Sequence, residues 1–236
     1  MEKDNLYYSQ GRSVSTMSQS FIANVLIWMS AGLIMTAAIS YLFASNDALF
    51  SLLVNGKGGL SILGYVVMFA PIGFVLLMNF AFEKLSYGTL VILFMAYAAI
   101  MGMSLSFIFF VYELGSIFYV FLITAGMFTL TAIYGYTTKA DLTKLGSILM
   151  MALFGIIIAS VINVFWGNEN FSYILSIIGV VVFTGLIAYK VQMLKEMYND
   201  GSEKAGKLAI LGALTLYITF VNLFLSLLRL FGDRRN

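Results

Sequence analysis

Residues 208–230 read LAILGALTLYITFVNLFLSLLRL. The stretch carries one charged side chain, Arg229, near its end. A helix of about 20 apolar residues crosses a hydrocarbon layer ~30 Å thick. Backbone polar groups in lipid must bond within their own segment, so a crossing stretch of this kind is expected to be an α-helix. Residues 208–230 therefore predict a transmembrane helix.

Six further apolar stretches of similar length precede it. Of the 236 residues, 61% are hydrophobic and 10% are charged, against roughly 45–50% and about 25% in soluble domains. We predict an all-α membrane protein, a seven-transmembrane-helix bundle over residues 21–236 that follows a cytoplasmic N-terminal segment, residues 1–20. The predicted spans are 21–43, 61–80, 88–111, 117–136, 146–165, 172–193 and 208–230.

The distribution of basic residues predicts a cytoplasmic N-terminus. Glu2, Lys3, Asp4 and Arg12 precede the first apolar run, which is unlike a signal peptide, so the first helix is expected to be retained. Lysine and arginine are enriched in cytoplasmic loops. With the N-terminus inside, the inner basic residues are Lys3, Arg12, Lys84, Lys139, Lys144, Lys190, Lys195, Lys204 and Lys207, and the outer ones are Lys57, Arg229, Arg234 and Arg235. The C-terminal arginines favour the opposite side for the tail, which leaves open a last segment that re-enters without crossing.

The residue inventory argues against membrane-embedded catalysis. The chain has no histidine and no cysteine, which excludes His-based zinc sites, Ser-His dyads and thiolate chemistry. The predicted spans contain no Asp or Glu, which excludes an aspartyl dyad. A Ser-Lys pair that uses Lys190 remains open, although no spacing selects its serine. We predict no enzyme activity, no catalytic residue, no metal site and no cofactor.

Several polar side chains interrupt the predicted spans. Lys190 lies about one turn inside the sixth span and Arg229 about one turn inside the seventh. We expect both to snorkel to the nearest interface. Thr215, Thr219 and Asn222 recur at i, i+4 and i+7 on one face of the last helix. Interhelical hydrogen bonding is the favoured interpretation of this face, and the lining of a water-filled path is the alternative.

Four stretches of the chain resemble the Bax inhibitor-1 family, and its bacterial members above all. Residues 212–225 and 227–232, GALTLYITFVNLFL and LLRLFG, resemble its final helix. The other matching stretches are YGYTTKADL at 134–142 with GSILMM at 146–151, FTGLIAYKVQ at 183–192, which is similar to the end of the sixth helix, and FAP at 69–71 in the second.

The resemblance implies a seven-helix fold with the last helix at the centre of a two-layered bundle of six. It also implies a pH-sensitive calcium leak, in which two aspartates near the cytoplasmic ends of helices six and seven form a latch. Two close carboxylates share a proton and so respond to pH. Lys190 and Thr219 stand at the two latch positions here. We therefore expect that the fold is kept and that acid-gated calcium flux is lost, with Lys190 donating to Thr219 or to backbone carbonyls.

Two functional hypotheses from different classes follow. The first is a passive ion leak, with Ca²⁺ or protons as cargo. The second is a non-conducting regulator that binds other membrane proteins, such as a membrane protease or cell-death factors. A purely structural role is a third alternative. The lipid bilayer is the expected surrounding, in the inner membrane of a bacterium, and nucleic acid is not an expected partner.

Overall fold

The structure is a computed structural model that describes residues 2–56, 59–198 and 204–235. Of the loop residues used above to predict the topology, Lys57 lies outside the described residues. The helices are α1 Glu2–Ser45, α2 Asp47–Phe50, α3 Ile62–Phe80, α4 Tyr87–Leu105, α5 Ile108–Val111, α6 Leu114–Thr137, α7 Thr143–Trp166, α8 Glu169–Tyr198 and α9 Ala205–Phe231.

Within the described residues, seven helical segments are long and apolar enough to cross a membrane. This confirms the predicted all-α class and the number of spans. The segments are Ser18–Ser45, Ile62–Phe80, Tyr87–Val111, Leu114–Thr137, Thr143–Asn163, Glu169–Met197 and Ala205–Phe231. Their ends fall within about four residues of the predicted ends, which is the accuracy expected of element boundaries.

The third span is continuous, as the sequence predicts, and Tyr87–Val111 forms one candidate crossing. Between α4, which ends at Leu105, and α5, which begins at Ile108, Ser106 and Phe107 keep right-handed helical dihedral angles. The backbone bonds tighten there to i→i+3, since the Phe109 N–H donates to the Ser106 carbonyl at 3.3 Å and the Phe110 N–H to the Phe107 carbonyl at 3.2 Å. The Ser106 hydroxyl also donates to the carbonyl of Met103 at 2.6 Å.

The described residues divide into two compact units. The first consists of Met1–Ile27 and Phe121–Leu230, and the second of Trp28–Val120 and Phe231–Asn236. In the second unit, the Thr36 hydroxyl on α1 donates to the Ala98 carbonyl on α4 at 2.9 Å. All candidate functional residues lie in the first unit.

α9 is the most enclosed of the seven spans. In its most apolar window 67% of the residues are buried, compared with 44% in α8 and 11% in α7. A helix that borders lipid exposes one face to it, whereas a helix with neighbours on several sides exposes little. The enclosure of α9 agrees with the central position expected for the last helix.

α8 and α9 run antiparallel in close contact. From one end of the pair to the other, the facing residues are Leu194 with Gly212, Lys190 with Thr219, Gly179 with Ser226, and Ser176 with Arg229. As the residue number falls along α8, it rises along α9. This register places Lys190 within the paired length and Arg229 at its far end.

Two glycines bring α6 and α7 against α8. A Cβ added to Gly135 on α6 would meet the backbone of Ala188, and one added to Gly146 on α7 would meet the ring of Tyr189. Small residues at such contacts let membrane helices approach closely. α6 therefore packs on the α8 backbone, and α7 packs on the Tyr189 ring, just before Lys190.

Replacing Gly135 by alanine is expected to destabilise the protein by about 1–3 kcal/mol, the usual cost of overpacking, because the Ala188 backbone cannot move aside easily. Gly126 on the same helix is the matched control, since a Cβ there meets nothing within 4 Å. Gly126→Ala is expected to be neutral or slightly stabilising, because alanine favours helix by about 1 kcal/mol. Thermal unfolding in detergent, followed by circular dichroism, measures both. Equal melting temperatures for the two variants would contradict the close packing of α6 on α8.

Candidate functional site

A cavity of about 380 Å³ lies between α7, α8 and α9. Most of its lining is apolar and comes from leucine, isoleucine, valine and phenylalanine side chains. Its α9 wall carries Thr219, Asn222, Ser226 and Arg229, and Lys190 of α8 also lines it. The polar face of the last helix therefore opens onto this cavity.

Lys190 lies deeper in its helix than the sequence indicated. α8 continues to Tyr198, so Lys190 lies about two turns from the helix end. Its Nζ donates to the Thr219 hydroxyl at 2.8 Å and to the Thr215 carbonyl at 3.5 Å. The snorkelling interpretation of Lys190 is wrong, because the ammonium group turns toward α9 rather than toward the membrane surface.

Thr219 joins the two helices through one hydroxyl group. The side chain is 1% exposed. Its oxygen accepts from Lys190, while its proton is donated to the Thr215 carbonyl at 2.8 Å. A hydroxyl has one proton to donate, so both functions of this group are occupied. Lys190, Thr219 and Thr215 form a closed polar contact in the bundle.

Asn222 does not follow the favoured interpretation of the polar face. Its amide donates to the Ile218 carbonyl at 2.8 Å, within α9. Ser226 likewise donates to the Asn222 carbonyl at 2.8 Å. Interhelical bonding is therefore correct for Thr219 and wrong for the Asn222 amide. Thr219 and Asn222 both line the cavity, whereas Thr215 is not among its described lining residues. The alternative interpretation, the lining of a water-filled path, stays a prediction.

Arg229 stands at the other end of the cavity. It lies in the last turn of α9, where a cation interacts favourably with the helix dipole. It is exposed, and its Nη1 donates to the Ser176 hydroxyl at 3.3 Å. Arg229 also lines a second hollow of about 370 Å³ that includes Glu169 and the Gly167–Asn168 loop. The two hollows share Ser160, Leu175 and Arg229 among their lining residues, so they adjoin each other.

The charge of the first cavity is positive. Among its described lining residues, Lys190 and Arg229 are cations and no lining residue is Asp or Glu. The hydrogen bonds of Lys190 in the described part of the chain go to two neutral oxygens. The cavity is thus arranged to repel cations and attract anions.

Comparison with known proteins agrees with this architecture. A sequence profile of the family described as "Inhibitor of apoptosis-promoting Bax1" matches residues 18–236. "Inner membrane protein YbhL" of Escherichia coli K12 is 42% identical over 221 residues, which cover 92% of this chain and 93% of that protein. An uncharacterised protein of Borreliella burgdorferi is 39% identical over 231 residues, covering 97% of this chain and 98% of its own length.

The chain belongs to the Bax inhibitor-1 family. It is an integral membrane protein of that family, and its expected membership is confirmed. In this Bax inhibitor-1 protein, the two positions that the resemblance assigns to the latch lie in direct contact through the 2.8 Å bond from Lys190 to Thr219. The structure brings the two positions together, and the side chains that meet there are a lysine and a threonine.

Gln192 has a structural role that the sequence analysis missed. Its Oε1 accepts from the Leu142 backbone N–H at 2.8 Å, and its Nε2 donates to the Ala140 carbonyl at 2.8 Å. Both bonds fasten the loop between α6 and α7 to α8. A lone amide in an apolar helix, two residues after Lys190, was the only available signal.

The loop between α6 and α7 places a carboxylate, that of Asp141, just before the start of α7. The Asp141 carboxylate accepts hydrogen bonds from the Thr143 side chain and backbone N–H, and these hold the pKa of Asp141 below its ordinary value. A negative charge before the first turn favours the helix N-terminus. Asp141 thus helps to fix where α7 starts in this Bax inhibitor-1 protein.

Replacing Gln192 by leucine is expected to lower the free energy of unfolding by about 1–3 kcal/mol, because two backbone groups lose their partner. Gln192→Glu keeps the acceptor for Leu142 but places a carboxylate oxygen against the Ala140 carbonyl at a buried position, so at neutral pH it should also be less stable than the wild type. Thermal unfolding in one detergent at neutral pH compares each variant with the wild type. A Gln192→Leu melting temperature equal to that of the wild type would contradict the assigned bonds.

Proposed function

We propose that this protein contains an ion path through its helix bundle and that the path is closed at Lys190. We also propose that the protein has lost the acid-gated calcium leak that its family resemblance implies. The observation that carries the proposal is the 2.8 Å hydrogen bond from the Lys190 ammonium to the Thr219 hydroxyl. The two side chains occupy the positions at which the resemblance implies a pair of aspartates.

The chemistry of this contact argues against calcium. Ca²⁺ takes six to eight oxygen ligands, with carboxylates prominent among them. At about 5 Å and an effective dielectric constant near 20, an ammonium group repels a divalent cation by about 7 kcal/mol. Arg229 adds a second positive charge to the same cavity. A cation that enters this path therefore meets like charge where relatives are expected to present carboxylates.

Lysine and threonine also remove the basis of acid gating. A carboxylate pair titrates because both groups cannot ionise cheaply at short distance. The Lys190–Thr219 contact contains no carboxylate, and its threonine proton is held by the Thr215 carbonyl. The contact thus lacks a shared proton that acid could add or remove.

The proposed location is a bacterial inner membrane with the N-terminus in the cytoplasm. Support comes from the Escherichia coli relative, which is named as an inner membrane protein, and from the distribution of lysine and arginine along the chain. The proposed role is not enzymatic.

A second candidate is the non-conducting regulator that binds another membrane protein. The closed Lys190–Thr219 contact favours it, because a protein without an open path would act through its surface. This candidate would be supported over the ion path by one defined partner that co-purifies stoichiometrically from native membranes. The activity of that partner should change when this protein is removed.

In proteoliposomes, the wild-type protein is expected to show no rise in calcium flux between about pH 8 and 6, the range in which a coupled carboxylate pair titrates. The double variant Lys190→Asp, Thr219→Asp is expected to gain a flux that depends on pH, because it restores the pair. A calcium-sensitive dye inside the vesicles measures both.

Lys195→Asp is the matched control for the flux experiment. Lys195 lies on the same helix and donates to the Tyr136 carbonyl at 2.8 Å, and it is absent from the described cavity lining. Its replacement is expected to leave calcium flux at the wild-type level. A wild-type leak that rises steeply with acid would overturn the proposed function.

A further inference from the structure

We propose that the cavity between α7, α8 and α9 is a binding site for a small, weakly hydrated monovalent anion, held by the Lys190 ammonium group and reached past Arg229. This inference goes beyond the proposed function, because it concerns what the cavity binds rather than what is prevented from crossing. It stands on the charge and the hydrogen bonding of the lining.

The ammonium group of Lys190 is incompletely satisfied by the described residues. It has three N–H donors, and the described chain offers it Thr219 at 2.8 Å and Thr215 at the longer distance of 3.5 Å. Both partners are neutral oxygens. A partly buried charge without an opposite charge is costly, so an anion at the remaining donor would stabilise it.

The inner end of the cavity favours anions. Thr219 and Arg229 lie ten residues apart on α9, which corresponds to about 15 Å along the helix, so the exposed Arg229 stands at the mouth while Lys190 lies deeper. At the mouth, Arg229 and the Glu169 carboxylate line the same adjoining hollow and oppose each other in charge. Glu169 begins α8, about 30 Å from Lys190 along the helix, so it does not neutralise the positive charge of Lys190.

The lining selects a weakly hydrated ion. The Thr219 and Ser226 hydroxyl protons and one of the two Asn222 amide protons are donated to α9 carbonyls, each at 2.8 Å. The rest of the described wall is mainly apolar. Phosphate or sulfate would lose many water contacts and find few donors, whereas thiocyanate, iodide or bromide lose less on entry.

The single positive charge at the inner end of the cavity favours a monovalent ion. Lys190 and Arg229 are too far apart for one small ion to contact both. Lys190 therefore provides one positive charge at the inner end, matched by one negative charge. The volume of about 380 Å³ leaves room for accompanying water.

The test is chloride line-broadening NMR on the full chain in nanodiscs of uncharged phosphatidylcholine. Chloride in an asymmetric protein site relaxes rapidly and broadens the bulk signal. The wild type is expected to give excess line width that thiocyanate removes at a lower concentration than phosphate does. If the wild type gives no excess line width, or phosphate displaces chloride first, the proposal is wrong.

The variants locate the site. Lys190→Met is expected to weaken chloride binding about 10-fold or more, the effect of losing a charge-assisted hydrogen bond. Lys195→Met, which removes a cation of the same helix that is absent from the described lining, is expected to bind like the wild type. Arg229→Gln is expected to weaken binding by a smaller factor. Circular dichroism and elution volume establish that each variant is folded.

If folded Lys190→Met gives the same excess chloride line width as the wild type, the proposal is wrong. If Lys190→Met does not fold, the Arg229→Gln variant is the test, and a chloride affinity equal to that of the wild type contradicts the proposal. In nanodiscs that contain phosphatidylglycerol, the excess chloride line width of the wild type is expected to persist. If this excess line width disappears, the occupant of the cavity is a lipid phosphate rather than a free anion, and the proposal is wrong. These readouts are independent of calcium flux, so either proposal can fail without the other.

Discussion

A positive charge within a bundle that hydrocarbon surrounds must be held by oxygen atoms of the bundle itself, and the Lys190–Thr219 contact meets this constraint. Burying an unpaired charge in a membrane span costs at least about 2.5–3.5 kcal/mol. The 2.8 Å bond to Thr219 and the nearby Thr215 carbonyl offset part of that cost. The geometry requires α8 and α9 to lie close and in register, so the packing of these helices determines whether the charge can be accommodated.

That packing depends on residues away from the charge. Gly135 lets α6 approach the α8 backbone at Ala188, and Gly146 lets α7 approach the Tyr189 ring. Gln192 then fastens the loop between α6 and α7 to the same helix. α8 is therefore held by neighbouring elements on both sides of Lys190 along the chain.

The sequence predicted the spans well because length and apolar composition alone determine which stretches can cross hydrocarbon. Depth in the span predicted snorkelling for Lys190, which is wrong, whereas the latch positions led to the expectation that Lys190 donates to Thr219 or to backbone carbonyls, which is confirmed. The predicted sixth span ends at residue 193, whereas α8 continues to Tyr198. The tightened turn at Ser106 was missed, since a local change to i→i+3 backbone bonds leaves no mark on hydropathy.

The polar face of α9 shows why a helical pattern alone does not identify hydrogen-bond partners. Thr219 and Asn222 share a face, yet one side chain also bonds to α8 while the amide of the other donates within its own helix. Because the Thr219 and Ser226 hydroxyl protons and one of the two Asn222 amide protons are used by α9 carbonyls, this face has few donors left for the cavity. The positive charges of Lys190 and Arg229 therefore dominate its electrostatics, and the sign of that field follows from the residue at position 190. A carboxylate there would make the same cavity attractive to cations without any change in fold.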